Sequence, residues 1–179
     1  MITEKDIDWE KLKNPHPLFK VFRMDEKNPI EFWRKFVEFS RMMKNKYLYT
    51  SDEYRNDATI QQMLLAYFSG IHINILYEIG NFQGIIAFLD IQPQHKCSVM
   101  LKPWDKRIWT KEFARAGKDL VDLIMDSFKL RRMSTSSADE RIVKMAKIAG
   151  FNVEGERPYA FKWKGKLYTL YELGKVREE

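Results

Sequence analysis

The sequence contains few of the residues from which disulfides and metal sites are built. Its 179 residues include one cysteine, Cys97, and three histidines that are scattered along the chain. A single cysteine excludes an intramolecular disulfide, and one cysteine with dispersed histidines gives no zinc-binding motif. We therefore expect no metal site and no fold that depends on covalent cross-links.

Long apolar runs are also missing. No segment approaches the length of about 20 apolar residues that a membrane-spanning helix needs, and the polar first residues differ from a secretory signal peptide. The chain shows no internal repeat, low-complexity tract or linker. These absences predict a cytoplasmic protein without a membrane partner.

Aromatic residues and positive charges, by contrast, are plentiful. Aromatic residues make up 14% of the chain, which excludes a disordered composition, and the length suits one domain with a sizeable core. The net charge of +6 suits an anionic ligand such as a nucleotide cofactor. Nucleic acid is not expected as a partner, because the sequence has no compact motif of basic and aromatic residues.

The second half of the chain predicts alternating strands and helices. A short apolar run at 98–101, followed by Pro103, predicts a strand. Apolar residues at helical spacing between Phe113 and Phe128 predict a long helix, and 130–134 predict the next strand. A strand, a helix and a strand in this order predict parallel pairing through a right-handed crossover.

A second helix is predicted directly after this pair of strands. Ser137, with Glu140 three residues later, forms a capping-box pattern, which predicts where the helix begins. Gly150 predicts a left-handed cap at its end.

The first half predicts an arm, a strand, two helices and an antiparallel hairpin. The arm covers 1–17, the first strand 18–24, the helices begin at Asn28 and span 58–69, and the hairpin strands cover 71–78 and 82–91. Between the hairpin strands, Gly80-Asn81 is a signal for a two-residue turn.

The order of these elements resembles the GNAT N-acetyltransferase superfamily. The closing segment at 149–173, AGFNVEGERPYAFKWKGKLYTLYEL, is similar to the ribosomal-protein N-acetyltransferase branch of that family. The resemblance covers the order of elements across most of the chain. It implies an α+β fold, an α/β/α sandwich, whose twisted, mixed and mostly antiparallel sheet is flanked by helices, with strands four and five parallel and splayed. A single GNAT-like acyl-CoA-binding domain would then cover 18–175.

The resemblance implies that acetyl-CoA is bound as co-substrate. The family's phosphate-binding pattern is Arg or Gln, two residues, Gly, one residue, then Gly or Ala. It falls here on Lys111, Ala114 and Ala116, with Gly117 next. Lysine keeps the positive charge but lacks the bidentate fork of arginine, and Ala114 adds a methyl group where the backbone approaches the phosphates.

Further residues are implied in cofactor binding. The other basic residues of this stretch that we expect to contact the cofactor are Lys106, Arg107 and Arg115. Lys102 and Lys118 belong to the same basic run, for which a solvated charged face is the alternative interpretation. In the family, strand four carries a bulge and leaves backbone groups free for the pantetheine arm, and the matching stretch here is Val99, Met100 and Leu101. Asp139 matches an asparagine near the start of the last helix.

The groups that relatives use to move protons are not matched. Ala146 stands where many members have a tyrosine, and Ile142 and Phe161 stand where the ribosomal-protein branch has a serine and a glutamate. We therefore rank Glu78 first and Cys97 second as catalytic candidates. The alternatives are a solvated strand-end acid for Glu78 and a small buried side chain for Cys97. Weaker candidates are Asp90, His95 and Tyr159.

Two classes of function remain open. The first is an N-acyltransferase that moves an acetyl group from acetyl-CoA to a primary amine by direct attack, on a small molecule or a protein N-terminus. The second is a non-catalytic GNAT-fold binding or structural protein, similar to small phage-encoded GNAT-like proteins. Tyrosines in the loop 44–56 either face the acceptor or belong to a solvated loop. Both a monomer and a homodimer are compatible with the sequence.

Overall fold

A computed structural model describes residues 7–21 and 73–177, together with Val37. The helices are α1 (Trp9–Lys13), α2 (Lys111–Ser127) and α3 (Glu140–Ile148), with a short 3-10 helix at Lys106–Ile108. The strands are β1 (Phe19–Val21), β2 (Ile73–Ile79), β3 (Gly84–Gln92), β4 (Lys96–Pro103), β5 (Arg132–Ser137), β6 (Asn152–Trp163) and β7 (Lys166–Val176). The predicted helices from Asn28 and over 58–69, and the tyrosine-bearing loop between them, lie outside the described residues.

The described strands form one mixed sheet of seven strands. Their order is β1-β2-β3-β4-β5-β7-β6. β4 and β5 are parallel, with α2 as the crossover between them, and the other neighbouring pairs are antiparallel. The predicted fold class and the parallel pairing of strands four and five are therefore confirmed.

The main core lies between one face of this sheet and the helices. The apolar stripe of α2 is buried as its helical spacing predicted, with Phe113, Ala116, Leu120 and Ile124 all at most 4% exposed. These side chains pack in one cluster with buried residues of β2, β3 and β5 and with Val143 of α3. The packing of α2 on the sheet fixes the positions of β4 and β5.

The N-terminal segment also packs into this core. Leu12 of α1 is 1% exposed, and its carbonyl accepts a hydrogen bond of 2.7 Å from the hydroxyl of buried Tyr77. Trp9 meets Phe128 edge to face, with ring centroids 6.2 Å apart. The boundary at 17/18 between arm and domain stays a prediction, but α1 is packed as part of the domain.

The turn between β2 and β3 differs from the prediction. Ile79 pairs with Gly84, so four residues connect the strands and the predicted two-residue turn at Gly80-Asn81 is wrong. Two hydrogen bonds to backbone carbonyls explain the longer turn. The N–H of Gln83 donates to the carbonyl of Ile79 at 2.8 Å, and the indole Nε1 of Trp104 donates to the carbonyl of Phe82.

The start of α3 also differs from the prediction. β5 continues through Ser137, which pairs with Tyr171 of β7, so Ser137 belongs to the sheet and cannot cap the helix. Asp139 is the cap instead, and its carboxylate accepts the N–H of Arg141 at 2.9 Å. At the other end Gly150 has φ +88°, so the predicted left-handed conformation is confirmed.

Within residues 7–21 and 73–177, none of the helices has both the length and the apolar composition to cross a bilayer.

Lys175 of β7 joins the sheet to two helices. Its Nζ donates to the carbonyl of Ala149, just after α3, at 2.8 Å and to the carboxylate of Asp122 on α2. Lys118 donates to the same carboxylate at 2.6 Å. Burial by itself would raise the pKa of Asp122, but the hydrogen bonds from Lys118 and Lys175 outweigh it and hold that pKa below its usual range.

Replacing Asp122 by asparagine is expected to lower the free energy of unfolding at pH 7. Because the carboxylate is partly solvated, screening limits the loss to about 1 kcal/mol or less. The folded-state pKa lies below the ordinary value of 3.8. The stabilisation is therefore fully present above that value and is lost as the pH falls through the folded-state pKa. Urea unfolding at neutral and strongly acidic pH measures this.

Asp119→Asn is the matched control, because Asp119 lies exposed on the same helix. A deficit of Asp122→Asn that persisted unchanged in strong acid would contradict the assignment to the carboxylate charge.

Candidate functional site

β4 and β5 pair over a short distance and then separate. Their register runs from Lys96↔Arg132 to Ser98↔Ser134, which is three pairs. Beyond these pairs, β4 continues to Pro103 against β3, and β5 continues to Ser137 against β7. We call the space between 99–103 of β4 and 135–137 of β5 the β4–β5 gap. The predicted splay of strands four and five is confirmed.

Two helices begin at the open end of this gap. Because β4 and β5 are parallel, their carboxyl ends lie at the same edge of the sheet, and α3 starts three residues after β5 ends. Arg141, in the first turn of α3, lies over the ring of Trp109, which shortly precedes α2, so the two helices start close together. Thr110 caps α2, and its hydroxyl accepts the N–H of Phe113 at 3.0 Å. The first turn of a helix has unpaired N–H groups and the positive end of the helix dipole. The open end of the gap is therefore suited to an anionic group.

The strand along one wall of the gap is regular. Val99, Met100 and Leu101 are half-buried and pair in unbroken register with 86–88 of β3. The bulge that the resemblance implied in strand four is therefore absent from this stretch. The irregularity lies in β3 between Leu89 and Gln92, where Asp90 has φ +53°. Among the described strands, none pairs with β4 beyond Ser98 on the side that faces β5.

The basic residues before α2 lie on the surface. Lys106 and Arg107 belong to the 3-10 helix and are exposed. The guanidinium of Arg107 pairs with Asp105, with Nη2 2.5 Å and Nε 2.9 Å from the same carboxylate oxygen. Asp105 therefore already offsets part of the positive charge expected to face a phosphate, whereas Lys106 adds charge to this edge.

The positions matched to the phosphate-binding pattern fall on two sides of α2. Lys111 and Arg115 are exposed on its first turns, and Ala114 is half-buried. Ala116 is 2% exposed and packs in the core, so its side chain does not line the gap surface. A Cβ atom at Gly117 would meet no described atom within 4 Å, so space beside this glycine is open.

Asp139 and Arg141 connect α3 to the loop before α2. Asp139 is 3% exposed, and its carboxylate receives Arg141 Nε at 3.0 Å and Nη2 at 2.5 Å. The same guanidinium lies over the ring of Trp109, 5.2 Å from its centroid. The Asp139 carboxylate thus accepts hydrogen bonds from the backbone N–H and from the guanidinium of Arg141. Family members with an asparagine at the matching position have a neutral side chain there.

Comparison with known proteins gives structural but no sequence relatives. No described protein family matches the chain, and no curated protein matches its sequence. A spermidine N-acetyltransferase from Vibrio cholerae, in complex with CoA and spermine, superposes with a TM-score of 0.62 at 13% identity, covering 90% of this chain and 96% of that one.

Two further solved structures superpose on the chain in the same way. An acetyltransferase of the GNAT family from Streptococcus pneumoniae has a TM-score of 0.59 at 17% identity, covering 89% of this chain and 99% of that one. A ribosomal-protein-S5-alanine acetyltransferase from Vibrio fischeri has a TM-score of 0.58 at 15% identity, covering 90% and 94%. The chain has the GNAT fold. The resemblance inferred from the order of elements is confirmed at the level of fold.

Cys97 occupies a core position in this GNAT fold. It pairs with Met133 in the closed part of the β4–β5 ladder and is 2% exposed. Burial, with a smaller contribution from the charge of Asp90, raises the pKa of the thiol to about 12. A neutral, buried thiol is a poor proton acceptor at physiological pH. The geometry therefore favours the packing interpretation of Cys97.

Glu78 lies on β2, which β3 separates from β4 in the sheet. It is half-buried, and its Oε1 accepts the N–H of Phe82 at 3.0 Å. In the ladder it stands between Lys20 of β1 and Ile85 of β3. Its neighbour Tyr77 faces the main core, so strand alternation places Glu78 on the opposite face of the sheet. The weaker candidates Asp90, His95 and Tyr159 are exposed.

Lys102 is the residue that sequence reasoning misplaced. It was grouped with the charges of the basic loop, but it lies inside β4, opposite Ile85. Its side chain is half-buried, and burial lowers its pKa to about 8. The sequence did contain a signal that Lys102 belongs to the strand, because it stands between the apolar run at 98–101 and Pro103. Lys102 and Glu78 flank Ile85 in one row across the sheet.

Proposed function

We propose that the protein is an N-acetyltransferase that moves the acetyl group of acetyl-CoA to a primary amine by direct attack. The observation that carries this proposal is the limited pairing of β4 and β5, which ends at Ser98 and Ser134. It opens a gap whose outer end meets the first turn of α2. A narrow cleft beside free strand backbone and a helix N-terminus matches a ligand that has amides along its length and phosphates at its end.

The described residues suggest how the cofactor would be held. Backbone groups of 99–101 are available for the amides of the pantetheine arm. Lys111 and Arg115, both exposed at the start of α2, provide positive charge for the phosphates, with Lys106 nearby in sequence. The open space beside Gly117 is compatible with a close approach of a bulky group to the helix. Acetyl-CoA supplies the activated acyl group.

The chemistry needs little more than positioning. The lone pair of a neutral amine attacks the thioester carbonyl carbon, a C–N bond forms and the C–S bond breaks. CoA leaves as a thiolate, which takes up a proton, and the nitrogen of the acceptor loses one. A backbone N–H of β4 facing the gap would stabilise the charge that develops on the carbonyl oxygen. Holding both reactants in one cleft supplies much of the acceleration. Glu78 is our candidate for accepting the proton of the amine through water.

The acceptor is proposed only as a class, a primary amine on a small molecule or a protein N-terminus. The structural neighbours include an enzyme named for spermidine and one named for an alanine of ribosomal protein S5. Amine acceptors of both kinds are therefore the first to assay.

A second candidate function is binding of acetyl-CoA without transfer of its acetyl group, and two observations favour it. Cys97 is buried and neutral, and the carboxylate of Asp139 is held by Arg141. Of the described groups near the gap, these two are therefore poorly placed for proton transfer. A GNAT-fold protein that binds acetyl-CoA without transferring its acetyl group would show these features. Binding without release of free CoA, over a panel of amines, would favour this second function.

Binding of acetyl-CoA to the wild-type protein, measured by calorimetric titration, is the decisive test. Changing Lys111 and Arg115 together to alanine is expected to weaken binding by about tenfold, which corresponds to about 1.4 kcal/mol. The difference should shrink as salt is added, because these side chains are exposed.

The matched control removes two positive charges from α3. Lys144→Ala with Lys147→Ala gives the same change in net charge at exposed positions in the second half of that helix. An equal loss of affinity in both double variants would assign the effect to net charge. No binding to the wild-type protein would remove the proposed function.

A further inference from the structure

The row in which the β4–β5 ladder ends carries two serines. Ser98 of β4 and Ser134 of β5 form the last pair before the strands separate. Cys97 and Met133, one residue earlier on each strand, both pack in the main core. Because successive side chains of a strand point to opposite faces, Ser98 and Ser134 project together from the other face of the sheet. Neighbouring strands lie about 4.8 Å apart, so the two side chains lie close together at the closed end of the gap. We call them the serine pair.

Both hydroxyls of the serine pair are accessible to a ligand. Ser98 is exposed and Ser134 is half-buried. Among the residues that the structure describes, neither hydroxyl has a hydrogen-bond partner. Ser137, further along β5, differs, because its Oγ accepts the N–H of Asp139 at 3.0 Å. The serine pair therefore has two O–H donors that the fold itself does not use.

The orientation of the proposed cofactor brings its thioester to the serine pair. The phosphates would lie at the open end of the gap, by the first turn of α2, and the amides along 99–101. From phosphorus to sulfur the pantetheine arm has about thirteen bonds, which reach about 15 Å when they are as extended as a peptide chain. The strand from Ser98 to Pro103 spans about 17 Å, so the sulfur would come to the row of Ser98.

A departing thiolate is stabilised by a hydrogen-bond donor. Many family members have a tyrosine where this chain has Ala146. Met100, the next side chain on the same face of β4, has neither an N–H nor an O–H group. Donors that are already in place where negative charge develops lower the barrier, and hydrogen bonds to a charged acceptor are stronger than those to a neutral one. The serine pair provides two such donors at the position where the sulfur is expected.

We propose that Ser98 and Ser134 donate hydrogen bonds to the sulfur atom of CoA as it leaves. This inference rests on the proposed function, because it needs acetyl-CoA in the β4–β5 gap, and it adds the groups that act on the leaving sulfur. When the C–S bond breaks, the electron pair stays on sulfur and both hydroxyls stabilise the thiolate. The serines keep their protons. The thiolate takes up, through water, the proton that the acceptor nitrogen has lost.

The charges around the serine pair largely offset one another. Lys96 and Arg132 pair two residues before the serines, on the same face. Glu154 of β6 forms an ion pair with Arg132, and a Cβ atom at Gly174, the β7 neighbour of the serine pair, would overlap its carboxylate. Asp90 of β3 is near enough to the start of β4 to act on a thiol there. Serine-to-alanine variants leave all these charges in place, so they isolate the effect of the hydroxyls.

Ionisation of bound CoA measures the proposed hydrogen bonds directly. CoA labelled with carbon-13 next to its sulfur is titrated in complex with the protein, and the chemical shift of this carbon follows the thiol pKa. Hydrogen bonds to the charged form lower a pKa. Ser98→Ala combined with Ser134→Ala should therefore raise the pKa of the bound thiol by about one unit, a tenfold change in its acid dissociation constant. Ser127→Ala, at the half-buried last residue of α2, is the control and should leave it unchanged.

Turnover with spermidine or with a peptide that begins with alanine gives a second measurement. The double alanine variant should lower kcat about tenfold and leave the KM for acetyl-CoA nearly unchanged, because the hydroxyls act only when charge develops on sulfur. Ser98→Thr and Ser134→Thr keep a hydroxyl in a residue suited to strands, so they should retain most of the turnover. A purely structural role would instead lower the melting temperature together with kcat.

The outcomes separate this inference from the proposed function. If CoA binds and its thiol has the same pKa in the wild-type protein and in the double alanine variant, the role of the serine pair is overturned and the proposed function stands. An equal rise with Ser127→Ala would show an indirect effect and would also overturn it, as would a loss of turnover that the threonine variants share. If neither CoA nor acetyl-CoA binds the wild-type protein, both hypotheses fail.

Discussion

Phe128→Ala is expected to lower the free energy of unfolding by about 3–5 kcal/mol. Phe128 follows the last residue of α2 and is 0% exposed. Its ring contacts Trp9 of α1 edge to face, and the site joins the core cluster of β2, β3 and β5. Removing the ring leaves a cavity where several elements meet, and the surroundings can collapse only in part. Small domains have total stabilities of about 5–15 kcal/mol, so the loss is a large fraction.

The backbone at this position should be unaffected. The N–H of Phe128 donates to the carbonyl of Ile124, and its own carbonyl accepts the N–H of Gln94 at 2.9 Å. Phe128→Leu keeps these bonds and most of the volume, so it should cost much less than the alanine variant. Ile148→Ala, at a position 52% exposed, should change stability by about 0.5 kcal/mol or less. Urea unfolding followed by circular dichroism gives all three values. A loss below about 1 kcal/mol for Phe128→Ala would contradict the cavity argument.

Glu78→Gln is expected to lower turnover at neutral pH by on the order of a hundredfold, the usual range for a lost general base. Glutamine keeps an oxygen that can accept the N–H of Phe82, which Glu78 Oε1 now accepts at 3.0 Å. The turn should therefore survive, and the melting temperature should change little. Turnover should recover as the pH rises, because more of the acceptor amine is then already neutral and needs no base.

The assay follows release of free CoA with spermidine and with a peptide that begins with alanine. Glu112→Gln provides the control, because Glu112 is exposed on the first turn of α2 and its loss makes the same change in charge. Full turnover of Glu78→Gln across the whole pH range would remove Glu78 from the mechanism. A drop that does not recover at high pH would instead indicate a structural role for Glu78.

Elements whose apolar period is strong were predictable from the sequence. The stripe from Phe113 to Phe128 predicted α2 because a helix buries every third or fourth residue, and a core of this size needs such a stripe. The order strand, helix, strand then predicted that β4 and β5 are parallel, because such crossovers are nearly always right-handed and join parallel strands. The resemblance to the GNAT family added the mixed sheet and the splay of β4 and β5.

Local signals failed where a distant strand decided the outcome. Ser137 and Glu140 had the spacing of a capping box, but pairing of Ser137 with Tyr171 extended β5 and moved the cap to Asp139. Gly80-Asn81 suited a two-residue turn, but hydrogen bonds from Trp104 and to Ile79 made the connection longer. Both cases depend on partners far along the chain or on the register of a ladder, which a short window of sequence does not contain.

The sequence by itself determined α2 and the parallel pairing of β4 and β5 across it, because both follow from the apolar pattern along the chain. Tertiary structure alone decided the chemical state of the residues in β4. Cys97 and Lys102 lie in the same strand, yet one is a core side chain with a pKa of about 12 and the other a half-buried amine with a pKa of about 8. A pKa depends on desolvation and on nearby charges, and these are set by what packs around a side chain after the chain has folded.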